Sequence, residues 1–263
     1  MRKRSFSVAA AAVSATAALT ASVAFAGPTV SGPDGNTQSI ETVIAPKKLP
    51  KKTFAPATLK VVTKTASTTA ANGVPSPAVN ATIDFDKGAQ IFTKGLPTCN
   101  PALLQSVSTE IAEEKCGKAK IGSGVAHALL PLGSKVIPVE QTVTAFNGIP
   151  QGGKPVVLLH SYGTTPFQTT LVLVGTVSKY NKQGYGPRLE IQIPLLAGGT
   201  GALTEFEVKI NKKWTYKGKK VSFISAECPS KKLKTRSVFT YLDGQSLEAL
   251  HTQPCTQKPE PKK

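Results

Sequence analysis

The sequence predicts a mainly β fold, an antiparallel β-sandwich or barrel with a short helical insertion near residues 100–115. Two observations support this prediction. Apolar and polar residues alternate along runs such as 189–193 and 206–210, so each run has one face for a core and one face for water. Glycine and proline clusters separate the runs at short intervals. This spacing is typical of many short antiparallel strands.

The beginning of the chain has the features of an export signal. Residues 2–4 are Arg-Lys-Arg, and a long uncharged run follows them and ends in Ala-Phe-Ala at 24–26. A signal peptidase recognises small residues at these last positions, so residues 1–26 are predicted to be a signal peptide that is cleaved before Gly27. A retained membrane anchor is the alternative, because the run is long enough to span a bilayer.

The rest of the chain is predicted to have three parts. Residues 27–56 are rich in Pro, Gly and Lys and are predicted to be a linker. Residues 57–255 are predicted to form a disulfide-bonded β domain, or two sub-domains that meet near 150–154, and residues 256–263 a basic tail. No second long apolar run is present. We therefore expect a secreted protein, extracellular or associated with the cell wall, without a membrane span once the signal is removed.

Further strands are predicted from runs rich in β-branched and aromatic residues. These runs are 59–65, 81–85, 139–146, 156–162, 169–177, 221–226 and 237–242. Asp243-Gly244 lies between the last run and residues 247–249, which predicts a hairpin with a two-residue turn of type I′. Such a turn needs a positive φ at both central positions, and Asp-Gly is a favoured pair there.

The one helical segment lies between Cys99 and Cys116. Asn100 is a good N-cap, and a proline follows it at the first helical position. A continuous helix over 101–114 would be about 20 Å long, whereas a disulfide needs Cα atoms within about 7 Å. Serine and threonine residues within 106–109 favour a break and a new cap. The segment is therefore predicted to form two short helices that fold back on each other.

Four cysteines in an exported chain predict two disulfides. Three connectivities are available, and we favour Cys99 with Cys116 and Cys228 with Cys255, because both pairings are local. A metal or redox site is the alternative. The sequence has no Cys-x-x-Cys spacing, so the cysteines are interpreted as structural, and neither a metal nor a cofactor is predicted.

The arrangement from about residue 59 to residue 255 contains several short motifs. They are Gly95-Leu96-Pro97-Thr98-Cys99, Cys116 with Ile121-Gly122-Ser123-Gly124, Phe146-Asn147-Gly148, the 194–201 loop, and Asp243-Gly244 before Cys255. In these motifs the chain resembles a group of uncharacterised secreted proteins of actinobacteria. The resemblance implies secretion and a two-disulfide β fold, and it assigns no catalytic residue.

Positive charge is the clearest functional signal. Lys and Arg total 32 against 15 Asp and Glu, an excess that favours anionic partners. The excess is greatest between 209 and 236, where aromatic residues 214, 216 and 223 interleave with the cations and would offer stacking surfaces. An ordinary solvated face is the alternative. The predicted anion-binding residues are Lys209, Lys212, Lys213, Lys217, Lys219, Lys220, Lys231, Lys232, Lys234 and Arg236.

Catalytic motifs are absent from the sequence. It contains no Gly-x-Ser-x-Gly, no phosphate-binding loop and no His-Glu-x-x-His, so no catalytic residue is predicted. Glu205 and Glu207 are interpreted as part of a solvated strand face, and Asp84 and Asp86 as a strand end that lacks the other ligands of a calcium loop. The histidines are interpreted as structural. They are His127, His160 and His251.

Two classes of function follow. The first is a non-enzymatic secreted β domain that associates with the cell envelope through an anionic wall polymer or polysaccharide, with nucleic acid as the next candidate partner. The alternative is a secreted hydrolase with a site assembled from dispersed residues. A deep pocket with convergent polar groups would favour the hydrolase.

Overall fold

The computed structural model describes residues 27–259 and is mainly β, with 62% strand and 8% helix. This composition and a nearly closed antiparallel sheet confirm the predicted fold class. The predicted signal peptide, 1–26, and the last four residues of the predicted tail lie outside the described residues.

The strands, in chain order, are β1 (Val30–Ser31), β2 (Asn36–Ala45), β3 (Lys48–Pro50), β4 (Ala55–Ser67), β5 (Ala78–Asp86), β6 (Ala89–Ile91), β7 (Lys120–Leu132), β8 (Lys135–Gln151), β9 (Lys154–Gly163), β10 (Thr169–Lys179), β11 (Tyr185–Gln192), β12 (Ala202–Ile210), β13 (Lys213–Tyr216), β14 (Lys219–Ser222), β15 (Ile224–Ala226), β16 (Lys232–Tyr241), β17 (Ser246–Pro254) and β18 (Thr256–Lys258). One α-helix, α1 (Thr109–Cys116), and three 3₁₀ turns complete the described secondary structure. The turns are Pro101–Leu104, Gly117–Ala119 and Ala197–Gly199.

The long strands form a single barrel-like sheet. Its order is β2-β4-β12-β7-β8-β9-β10-β11-β5-β16-β17, and each strand is antiparallel to the next. Alternate side chains point inward and form the main core, which includes Ile40, Val61, Val157 and Ile191. Strands β8 and β9, on either side of residues 150–154, pair with each other. The fold is therefore one continuous sheet rather than two sub-domains.

Because neighbouring strands are antiparallel, the connections alternate between two ends of the barrel. We call one end the open end. It consists of the loops 32–35, 68–77, 133–134, 164–168, 193–201 and 242–245. We call the other end the basic end. It consists of the segments 46–54, 87–98, 115–119, 152–153, 180–184, 211–231 and 255–259.

Strands β2 and β17 meet at a seam where side chains take the place of a backbone ladder. The Gln253 amide accepts a hydrogen bond from the Ile44 N–H at 2.6 Å and donates one to the Ile44 carbonyl at 2.8 Å. The Nδ1 atom of His251 accepts the Thr42 N–H at 3.3 Å and lies 3.1 Å from the Thr42 hydroxyl. Buried polar side chains on β17 thus satisfy the edge of β2.

The predictions of a linker at 27–56 and a tail at 256–263 are wrong where the structure describes these segments. Strand β2 lies inside the former, and β18 pairs in parallel with β3. Asn36, Gln38 and Thr42 are polar but point inward with Ile40 and Ile44, so the segment lacks the apolar alternation that marks a strand.

The helical segment follows its prediction. The Asn100 side chain caps the Pro101–Leu104 turn, and the Ser108 side chain caps α1. A disulfide joins Cys99 to Cys116, with the Cα atoms 5.4 Å apart. Leu104 and Ala112 pack on Phe146 and Leu158, which belong to β8 and β9. The segment therefore covers the outer wall of the barrel.

The second disulfide and the last hairpin also form where they are predicted. Cys228 and Cys255 are joined, with the Cα atoms 6.1 Å apart. Strands β16 and β17 form the hairpin, but its loop is longer than two residues, and only Gly244 of the Asp243-Gly244 pair has a positive φ. The prediction of a type I′ turn is therefore wrong. The predicted strand at 221–226 is divided between β14 and β15.

We expect acid to destabilise the barrel below about pH 6.5. His160 and His251 are buried, and burial holds the pKa of both imidazoles below the ordinary value of 6.5. Below pH 6.5 the two histidines bind protons in the unfolded chain more readily than they do in the folded chain. The contribution to stability is thus complete above pH 6.5 and is lost as the pH falls below it. Urea unfolding at pH 7.5 and pH 5.0 measures the loss.

The double variant H160Q/H251Q is the control for this pH dependence. A glutamine amide can still bond the Val107 carbonyl or the Thr42 N–H but does not titrate. We expect the variant to show a flatter profile between the two pH values. A parent protein of equal stability at both pH values would contradict the prediction.

Candidate functional site

The basic end brings together two lysine clusters that are far apart in the sequence. Strand β18 pairs with β3, and the Thr256 N–H donates to the Lys47 carbonyl at 2.8 Å. The preceding N–H, that of Cys255, donates to the Lys231 carbonyl at 2.9 Å. Cys255 and Thr256 are consecutive, and their hydrogen bonds bring Lys231 and Lys47 close together. The N-terminal lysines and those after Cys228 therefore share one surface.

The β13–β14 hairpin adds four exposed lysines to this end. Aromatic contacts hold the hairpin in place: the Trp214 indole donates to the Lys94 carbonyl at 3.1 Å, and its ring stacks on Phe92 with centroids 5.9 Å apart. The Tyr216 ring meets Phe92 edge-on at 5.7 Å. These rings therefore pack against the protein, and Phe223 is buried in the core. Phe223 therefore offers no stacking surface, whereas Trp214 and Tyr216 remain half-buried.

Exposed lysines dominate the basic end and the strand ends beside it. They are Lys47, Lys48, Lys51, Lys52, Lys87, Lys94, Lys115, Lys118, Lys154, Lys179, Lys182, Lys213, Lys217, Lys219, Lys220, Lys231, Lys232 and Lys258. Few carboxylates oppose them. Asp86 is buried and accepts backbone N–H groups, and Glu113 pairs with Lys120 at 2.6 Å. The end therefore carries a strong positive field.

The structure separates the ten predicted anion-binding residues into two groups. Eight of them, from Lys209 to Lys232, lie at the basic end or at the ends of β12 and β16 beside it. Lys234 and Arg236 lie instead on the outer face of β16. The Lys234 ammonium is 4.5 Å from the Tyr185 ring centroid and donates to the Gln183 carbonyl.

Arg236 belongs to a buried ion cluster and is not one of the exposed cations of the basic end. The Asp84 carboxylate, with 1% of its side chain exposed, accepts Arg236 at 2.6 and 3.0 Å. It also accepts Arg188 at 2.6 and 3.0 Å, and the Tyr180 ring lies 3.8 Å from the Arg188 guanidinium. Burial alone would raise the pKa of Asp84, but the two guanidinium groups outweigh burial and hold this pKa below its ordinary value.

The other sequence candidates lie apart from one another. His127 is near Glu140 on the outer wall, His160 bonds the Val107 carbonyl under the helical segment, and His251 is at the seam. Glu205 and Glu207 pair with Lys64 and Lys60, which confirms a solvated strand face. Within residues 27–259, no three His, Cys, Asp or Glu side chains are close enough to hold a metal ion.

The hydrolase alternative gains no support from the barrel interior. The two cavities there are lined mainly by aliphatic and aromatic side chains, and none of the three histidines lines them. In the part of the chain that the structure describes, no helix is long and apolar enough to cross a membrane. Comparison of the chain with protein-family models, curated proteins and solved structures gives no match.

Proposed function

We propose that the protein is exported and attaches non-enzymatically to an anionic polymer of the cell envelope through its basic end. One observation supports this most directly: β3–β18 pairing joins two lysine clusters into one exposed surface with few opposing carboxylates. Such a surface attracts a polyanion and releases the polymer's counterions on binding.

The chemistry of the surface favours a repeating anionic polymer over a single-stranded nucleic acid. All of its exposed cations are lysines, which act as point charges and do not impose the paired geometry of arginine. Single-stranded nucleic acid also needs free aromatic faces for base stacking. Phe223 is buried, and Phe92 contacts the half-buried Trp214 and Tyr216 rings, so less aromatic surface is available than stacking on all three rings would use.

Lys219→Glu is expected to weaken retention on purified polyglycerol phosphate. Lys219 is exposed at the start of β14, after the two-residue turn 217–218. Replacing one phosphate-contacting lysine should lower the slope of log affinity against log salt by about one. Affinity chromatography and titration calorimetry at two salt concentrations measure this change.

Lys135→Glu is a matched control for Lys219→Glu. Lys135 is also exposed at the start of a strand after a two-residue turn, but it lies at the open end. The charge change is the same, so we expect binding near that of the parent. Equal losses in the two variants would mean that only net charge matters. A duplex DNA bound more tightly than polyglycerol phosphate would overturn the choice of polymer.

A further inference from the structure

The interior of the barrel contains two adjacent cavities of about 160 and 90 Å³. The larger reaches the open end, where Thr165, Phe167 and Leu196 from two loops line it. The smaller lies deeper, and Phe223 and Ile224 from the basic end line it. Five apolar side chains line both. These are Leu159, Leu173, Ile193, Leu203 and Phe206.

Small and incompletely packed side chains account for this space. Ala126 and Ala128 point inward from β7, where larger residues would fill the barrel. Leu173 and Phe206 also point inward but are only half-buried, although they lie along the inside of the sheet. Protein interiors normally leave few voids larger than a water molecule. An apolar void of about 150 Å³ stays dry and accepts a small apolar guest.

The lining sets the chemistry of the guest. None of the described residues that line the two cavities is ionisable. A charged group on the guest would therefore have no oppositely charged partner inside the barrel. Most of the polar lining residues belong to the larger cavity and include Gln141, Ser161 and Thr169, whereas Thr63 lines the smaller one. The Ser161 hydroxyl donates to the side-chain amide oxygen (Oε1) of Gln141 at 2.6 Å. These groups can hydrogen-bond a hydroxyl or an ester but cannot neutralise a charge.

Exposed apolar side chains mark the entrance. Phe167 is 56% exposed and Leu195 is 47% exposed, each on a loop that lines the larger cavity. Leu132 and Leu242 are also exposed at the open end. A cluster of exposed large apolar side chains beside a pocket is typical of a ligand entrance.

We propose that the barrel binds an uncharged molecule with a single aliphatic chain, which enters at the open end. Two cavities in series make an elongated space that suits a chain better than a fused ring. The chain fills both cavities, and an uncharged polar group stays at the mouth beside Gln141 and Thr169. This site is at the opposite end of the barrel from the polymer-binding surface and does not depend on it.

1-Octanol and sodium octanoate test the site as a pair, because they share a chain length and differ in the charge of the head group. Octanol should raise the unfolding temperature by about 5 °C or more once its concentration is about a hundredfold above Kd. Octanoate at pH 7.5 should bind at least tenfold more weakly in calorimetry. If octanoate bound as tightly as octanol, the proposal that the ligand is uncharged would be wrong.

Ala128→Phe places a ring in the larger cavity and should remove the response to octanol. Thr142→Phe is the matched control, because Thr142 is exposed and lies on the outer face of the adjacent strand. It should respond as the parent does. If Ala128→Phe does not fold by circular dichroism, Ala126→Leu adds less volume to the same wall and should weaken the response. Folded cavity-filled variants that kept the full response would overturn the proposal.

Discussion

Asp84→Asn is expected to lower the free energy of unfolding by about 3–5 kcal/mol at pH 7, measured by urea denaturation. The asparagine has nearly the same shape but lacks the charge that holds Arg188 and Arg236 on either side of it. Both guanidinium groups are mostly buried, with 22% and 15% of their side chains exposed. Removing the carboxylate charge leaves two cations close together, with the half-exposed Glu248, 3.7 Å from Arg236, as the remaining ion-pair partner.

Glu207→Gln is the control for this charge removal. Glu207 also pairs across strands, with Lys60 at 2.8 Å, but the two side chains are 35% and 40% exposed. Water screens such a pair, so the expected loss is below about 1 kcal/mol. Equal losses of unfolding free energy in the two variants would contradict the claim that burial makes the Asp84 ion pairs stronger than an exposed pair.

The second large effect is expected from Gly124→Ala in β7, with a loss of about 3 kcal/mol. Gly124 lies opposite Val208 in the β7–β12 pair, where the strands approach so closely that a Cβ atom would overlap the Glu207 carbonyl oxygen. The obstruction is backbone, so a side-chain rotation cannot relieve it. Thermal and urea unfolding of the purified variant measure the loss.

Gly117→Ala is the matched control for Gly124→Ala. Gly117 follows α1 with helical dihedral angles, and a Cβ atom there would meet nothing within 4 Å. Reduced freedom of the unfolded chain should leave this variant as stable as the parent or more stable, by about 0.4–1 kcal/mol. A loss at Gly117 as large as that at Gly124 would contradict close strand approach as the cause, because a Cβ atom at Gly117 meets no neighbour.

Most of the sheet could be predicted because its inward positions are apolar. The runs 189–193 and 206–210 alternate apolar and polar residues, and they lie mostly in β11 and β12. Strand β2 is different, since three of its inward side chains are polar and bond across the interior or the seam. Its contribution to the core is therefore visible only once β16, β17 and β4 are in place.

The candidate site could be predicted only in part, because charge can be counted from the sequence but its partners cannot. Asp84 and Arg236 are 152 residues apart, and only the β5–β16 register places them opposite each other. The convergence of Lys47 and Lys231 likewise depends on short parallel strands at opposite ends of the chain. Local sequence carries no signal for either contact.

The seam between β2 and β17 also bears on how the protein behaves in crowded or acidic solution. If the seam opens, two long strands expose backbone N–H and C=O groups, which are templates for pairing with another copy. Protonation of His251 at Nδ1 removes the acceptor of the Thr42 N–H and so weakens this closure. Mild acid should therefore promote intermolecular β pairing and aggregation, from which Gln253 and His251 protect the folded chain at neutral pH.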